Sequence, residues 1–191
     1  MTNPFHIVSE IGKLKSVILK RPGKEVENLT PDTMQELLFD DIPYLKVIQE
    51  EHDAFAKVLK DNGADVLYLE QLMSEALDAG NAREEFTEQI IAESNVQNKD
   101  YAKELKNYLL TLDTAQLVDT TMAGVRKDEV LGHSFSAYQD STDESLFLMQ
   151  PMPNLYYTRD PATVLDKGIS LNKMTFEARK RESLYMEYIL D

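Results

Sequence analysis

Residues 45–69 read LKVIQEEHDAFAKVLKDNGADVLYL, and this stretch decides the fold. Leu45, Ile48, Phe55 and Leu59 recur at helical spacing with His52 in the same row, and Asn62-Gly63 supplies a stop. Residues 64–69, ADVLYL, then alternate and are rich in strand formers. A helix that feeds directly into a strand belongs to an α/β layer. Upstream, residues 13–20 alternate loosely and end at Arg21-Pro22-Gly23, the mark of a strand closing in a turn. Thr30-Pro31-Asp32 offers a hydroxyl cap, a proline at the first helical position and an acid at the positive end of the dipole, which predicts a short helix through Leu38. The first 70 residues thus read strand, helix, helix, strand.

Between residues 70 and 125 β-branched clusters nearly vanish and three helical patterns appear. One spans residues 83–94 with Phe86 and Ile90. A second carries Tyr101, Leu105, Tyr108, Leu109 and Leu112. In the third, Asp113 and Gln116 have capping-box spacing ahead of Leu117, Val118 and Met122. These read as a small helical insertion, closed by a polar loop at residues 134–145. Strands resume at residues 146–149 and 168–172, and a last helix from about Phe176 carries Leu184, Tyr188 and Ile189. It has no Gly, Asn or basic last turn to end it, and we expect the natural polypeptide to continue.

Composition narrows the function. With 34 acidic against 20 basic side chains and a net charge of -14 among 191 residues, neither nucleic acid nor an anionic membrane surface is expected as a partner. The start has no signal-peptide pattern and no window has the roughly 18 apolar residues of a membrane span, so a cytoplasmic protein is expected. Zero Cys removes disulfides, thiolate metal sites and cysteine nucleophiles from these residues. His6, His52 and His133 are isolated, and His52 reads as a packed core or boundary residue. No metal-ligand spacing and no glycine-rich phosphate loop is present, so neither metal nor cofactor is expected.

The densest polar stretch is residues 151–161, PMPNLYYTRDP, whose three prolines rule out a regular helix and hold Asn154, Tyr157 and Asp160 on a stiff backbone. The bland alternative is an edge strand with ordinary turn residues. PNLYYTRDP resembles the PNxxFTRD signature of arginine deiminases. SEIGKLKSVILKRPGKE near the start, LLFDDIPYL at residues 37–45 and RKRESLY at residues 179–185 are similar to the same family, in the same order.

The resemblance implies a partial α/β propeller of pentein-type blades: residues 1–70 as a first portion, 71–133 as the helical insertion, 134–145 as a loop and 146–191 as a second portion. It implies hydrolysis of L-arginine to L-citrulline and ammonia, with Asp160 gripping the guanidinium. Asn154 and Arg179 fall on positions that bind the α-carboxylate and α-amino end, Tyr157 on an aromatic against the substrate stem, and Leu38 and Phe39 on a loop at the mouth of the site. Asp40 and Asp41 have a plain structural alternative, capping the helix that follows. A carboxylate suits a planar, forked, permanently charged guanidinium. The family's Cys and His are expected beyond residue 191, and the full-length form is expected to be a homo-oligomer. An open propeller would leave apolar faces uncovered, so the isolated chain should self-associate or be marginally stable. The alternative is a catalytically dead arginine-binding or interaction module complete at Asp191.

Overall fold

Strand β1 (Ser16–Leu19) is followed by a single-turn helix α1 (Lys24–Glu27), the long helix α2 (Leu45–Asp61) and strand β2 (Asp65–Tyr68). The two strands pair in parallel, Ser16 opposite Asp65 and Leu19 opposite Tyr68, which requires the crossover that α2 makes. The computed structural model describes residues 6–132 and 145–191; His133 and all of the 134–145 tract but Ser145 lie outside them. Four helices come next, α3 (Leu69–Gly80), α4 (Arg83–Glu93), α5 (Lys99–Thr111) and α6 (Thr114–Ala123). Strand β3 (Val125–Arg126), helix α7 (Lys127–Leu131), strand β4 (Phe147–Met149), the hairpin β5 (Ala162–Leu165) and β6 (Gly168–Leu171), and helix α8 (Glu182–Leu190) complete a helix-rich α/β fold with three two-stranded sheets among the described residues.

Local chemistry explains the helix ends. Asn98 accepts from the amides of Asp100 and Tyr101 to start α5, and Asp113 and Gln116 close a reciprocal capping box on α6. Gly124 ends α6 at φ +84. A Cβ there would lie 2.6 Å from the Pro151 nitrogen, so only glycine lets the end of α6 approach residues 149–151. The Met152 amide then donates to the Met122 carbonyl at 3.0 Å.

One apolar cluster joins Leu69, Met73 and Leu77 of α3 to Phe86, Leu105, Leu117, Met149 and Tyr185. Phe86 meets Tyr185 edge-on at 5.5 Å, and the Tyr185 hydroxyl shares a 2.9 Å hydrogen bond with Thr121. A smaller cluster of Val26, Leu29 and Leu37 takes in Phe39, Leu45, Ile48 and Ala178. No helix among the described residues is long and apolar enough to cross a membrane.

Two expectations differ from the structure, and one helix is additional to them. The predicted helix through Leu38 is a series of turns, because Leu38 takes φ +64 and the Phe39 amide bonds back to Met34 at 2.8 Å, which a continuing helix cannot do. Phe55 belongs to no core: it is 54% exposed, while Ala56 is the buried residue of α2. Helix α3, whose Leu69, Met73 and Leu77 are buried at i, i+4 and i+8, was not read from the sequence; it starts straight from a strand at Tyr68, with no side-chain cap to mark it.

Candidate functional site

The prolines of residues 151–161 fix a 3-10 turn at Pro153–Tyr156. This turn buries Asn154, whose Nδ2 donates to the Leu37 carbonyl at 2.7 Å. The partner loop is shaped by its own threonines: the Thr33 amide donates to Thr30 Oγ1 and the Leu37 amide to the Thr33 carbonyl at 2.9 Å. Leu37 is thereby buried, Leu38 faces solvent, and Phe39 packs on the small cluster. Ala178 packs on the same cluster and brings the Glu177–Arg179 turn alongside.

The chain runs on from Asn154 through two further turns, Tyr157 N to Asn154 O and Asp160 N to Tyr157 O, both 3.0 Å. Thr158 Oγ1 donates to the Ile18 carbonyl at 2.8 Å, anchoring the segment to β1, and Asn172 Nδ2 donates to the Asp160 carbonyl at 2.8 Å. Tyr157 is half-exposed, its ring 4.0 Å from that of Tyr156, whose phenol burial pushes well above its usual value. Arg159 turns away from Asp160 to pair with Glu10.

Arg179 Nη1 donates to Asp160 Oδ2 at 2.9 Å, while Nε and Nη2 fork onto Glu182 at 2.8 and 2.7 Å. Glu182 is fully buried; the Asp160 side chain is 44% exposed. Burial works against the Arg179 charge, but Glu182 and Asp160 outweigh it and hold its pKa above the ordinary arginine value. Burial pushes the Glu182 carboxyl up, opposed by the bonds from Arg179. Of the five guanidinium N–H groups three are engaged, leaving one on each Nη. Those two groups can donate to a third carboxylate, and the exposed Asp160 can receive a planar cation, so the pair suits a ligand that bears both charges.

The neighbouring cations are placed differently. Lys180 pairs with Glu177. Arg181 is buried, donates Nη2 to the Gln150 carbonyl at 2.7 Å, and burial lowers its pKa. Asp41 accepts from its neighbour's amide at 2.7 Å, and the N-cap of α2 is Tyr44 with no side-chain cap, so the Asp40-Asp41 pair does not cap it. Sequence reasoning did not single out Glu182; its i,i+3 spacing from Arg179 was the available signal. A cavity of about 610 Å³ lies elsewhere, lined by Lys20, Glu25, Glu70, Tyr108 and Asp119, and does not include Asp160, Asn154 or Arg179.

A helix-rich α/β scaffold thus brings Asp160, Arg179 and Glu182 together where the 151–161 turns meet the start of α8. The family model described as arginine deiminase matches residues 35–191. The chain is 54% identical over 191 residues to an arginine deiminase of Latilactobacillus sakei, covering 100% of this chain and 47% of the relative. It is 55% identical over 195 residues to one of Levilactobacillus brevis and 51% over 191 residues to one of Bacillus cereus, each again with 100% of this chain and 47% of the relative covered. The chain belongs to the arginine deiminase family, and it spans about half the length of the curated relatives it matches.

Proposed function

We propose that the chain is the N-terminal portion of an arginine deiminase that hydrolyses L-arginine to L-citrulline and ammonia in cytoplasmic arginine catabolism. In this reading Asp160 accepts hydrogen bonds from the substrate guanidinium and fixes its plane. Arg179 offers its two remaining N–H groups to the α-carboxylate, Asn154 serves the same end of the substrate, Tyr157 lies along the stem, and the Leu38-Phe39 loop forms the mouth. A thiolate attacks the guanidinium carbon and ammonia leaves; water then releases citrulline and regenerates the thiol. These 191 residues contain no Cys, so the thiolate would have to come from other polypeptide. The scaffold would be part of an α/β propeller, with residues 71–133 as its inserted helical bundle.

The observation that supports this reading best is the guanidinium already on Asp160: the Arg179 contact at 2.9 Å is of the kind the substrate would make. The test is a fusion in which this chain replaces the matching 47% of the L. sakei enzyme. Citrulline formation is expected, with a loss of about 100-fold or more in Asp160→Asn, the scale of a displaced transition-state contact. A folded fusion whose turnover ignores Asp160→Asn would remove Asp160 from the mechanism. A folded fusion that makes no citrulline favours the alternative reading, a catalytically dead arginine-binding or interaction module.

A further inference from the structure

Arg181 is the N-cap residue of α8 and stands in sequence between Arg179 and Glu182, yet its guanidinium bonds to neither. It is 4% exposed, and Nη2 donates to the Gln150 carbonyl at 2.7 Å. Its Nη1 is buried without a hydrogen-bond partner, and so is Oε1 of Gln150. No carboxylate pairs with this charge among the described residues; Glu93 of α4 and Glu182 act on it only at longer range. Apolar side chains can often replace even a paired buried charge without loss of stability, and an unpaired one is costlier to keep. Stability therefore does not account for Arg181, and its one bond has to.

That bond falls at a particular place. Gln150 follows β4 and is the last residue before the stiff 151–161 segment, where Pro151 has no amide hydrogen to tie the chain back. On one side the root of the segment is fixed to the end of α6, through the Met152 amide and the Met122 carbonyl at 3.0 Å. On the other side Arg181 fixes it to the start of α8. At the far end Ser183 Oγ donates to the Asn172 carbonyl at 2.5 Å, and Asn172 Nδ2 to the Asp160 carbonyl at 2.8 Å. The start of α8 thus grips the segment at both ends, the root through Arg181 and the tip through Ser183.

In the proposed reaction the substrate guanidinium takes over the Arg179 contact on Asp160, so the bond that joins the two halves of the site directly is given up when the ligand arrives. The two grips remain. Resting on that reading, we infer that Arg181 is a positioning residue: its bond to the Gln150 carbonyl keeps Asn154 and Asp160 in register with Arg179 and Glu182 while the substrate occupies the site. A guanidinium suits this task, because a charge-assisted bond is shorter and stronger than a neutral one and its planar fork is held in a fixed direction.

The test compares Arg181→Met, which removes the donor and the charge, with Arg181→Lys, which keeps both. In the fusion with the rest of the L. sakei enzyme, Arg181→Met should lower kcat per folded molecule by about 10–100-fold, the scale of a misplacement of about 1 Å. Its urea midpoint should stay within about 0.5 M of the parent, because the charge removed was unpaired. Arg181→Lys should recover most of the lost turnover. In the chain by itself, hydrogen exchange at the Tyr157 and Asp160 amides, both bonded within the segment, should quicken about tenfold or more in Arg181→Met, while the Leu117 amide of α6 keeps its rate. A parent fusion that makes no citrulline would defeat the deiminase reading and not this one, which exchange then decides alone. Unchanged exchange at Tyr157 and Asp160, unchanged kcat in an active fusion, or equal losses in the Met and Lys variants would each overturn the inference. So would a variant that fails to fold or has a lower midpoint with all amides quickened together, the outcome of a merely structural role.

Discussion

Two carboxylates hold the Arg179 guanidinium, and their surroundings make them unequal. Asp160 contributes one bond at 2.9 Å from a side chain that is 44% exposed, whereas Glu182 contributes two from a side chain that is 1% exposed. Solvent screens the first pair, so its removal by Asp160→Asn should cost about 0–1 kcal/mol. Breaking a buried pair by removing one partner costs about 3–5 kcal/mol. In Glu182→Gln the retained amide oxygen returns about 1 kcal/mol, leaving a loss of about 2–4 kcal/mol. With a urea slope of about 2 kcal/mol/M, the unfolding midpoint should fall by about 1–2 M for Glu182→Gln and by less than about 0.5 M for Asp160→Asn. Far-UV circular dichroism in urea at neutral pH reads both. Raising salt should erase the small Asp160 effect and leave the Glu182 effect nearly intact. Equal losses, or a larger one for Asp160→Asn, would refute the reasoning, because Asp160 would then be a structural anchor and not a carboxylate held available to a ligand.

Three further outcomes follow from single contacts. Gly124→Ala should cost roughly 3 kcal/mol or more, since the added Cβ meets the Pro151 nitrogen and the Met149 carbonyl at a positive φ, and thermal melts should show it. Asn154→Ala should cost about 1–3 kcal/mol by leaving the buried Leu37 carbonyl unpaired, and faster amide exchange at Phe39 should report the loosened loop. Burial pushes the His52 pKa below its usual 6.5, and its Nδ1 has no hydrogen-bond partner. The native state therefore binds fewer protons than the unfolded chain, so stability is full above about 6.5 and falls as pH drops toward the lowered native value. His52→Gln should flatten that fall in denaturant midpoints measured between about pH 7.5 and 5.

What was legible in the sequence is what local chemistry determines. The Asp113-Gln116 box and the Leu105-Leu109 row need only neighbours within a turn, and both appear where their spacing predicts them. Periodicity identifies a helix without saying which stripe the rest of the fold will cover. Phe55 sits at the border of the inward row of α2, about 20° round the helix from Ile48, and which side of that border is covered is decided by the packing of the rest of the fold, which leaves it 54% exposed. The hairpin strand Ala162–Leu165 was missed because its partner arrives only after the Asp166 turn, at φ +50, and strand pairing is not written in either segment alone.

The site divides along the same line. Asp160 and Arg179 stand 19 residues apart and can be named from motifs, but the buried Glu182 that braces Arg179 acts through three-dimensional geometry. That brace determines what Asp160 is free to do. With two of its nitrogens committed to Glu182, Arg179 has a single short bond to Asp160, which an incoming guanidinium can replace without stranding a buried charge. Had the fork pointed at Asp160 instead, the same four-residue span of sequence, Arg179 to Glu182, would have produced a closed two-bond pair with Asp160. The orientation of one buried carboxylate, which no motif specifies, leaves Asp160 the single bond that the proposed binding role requires.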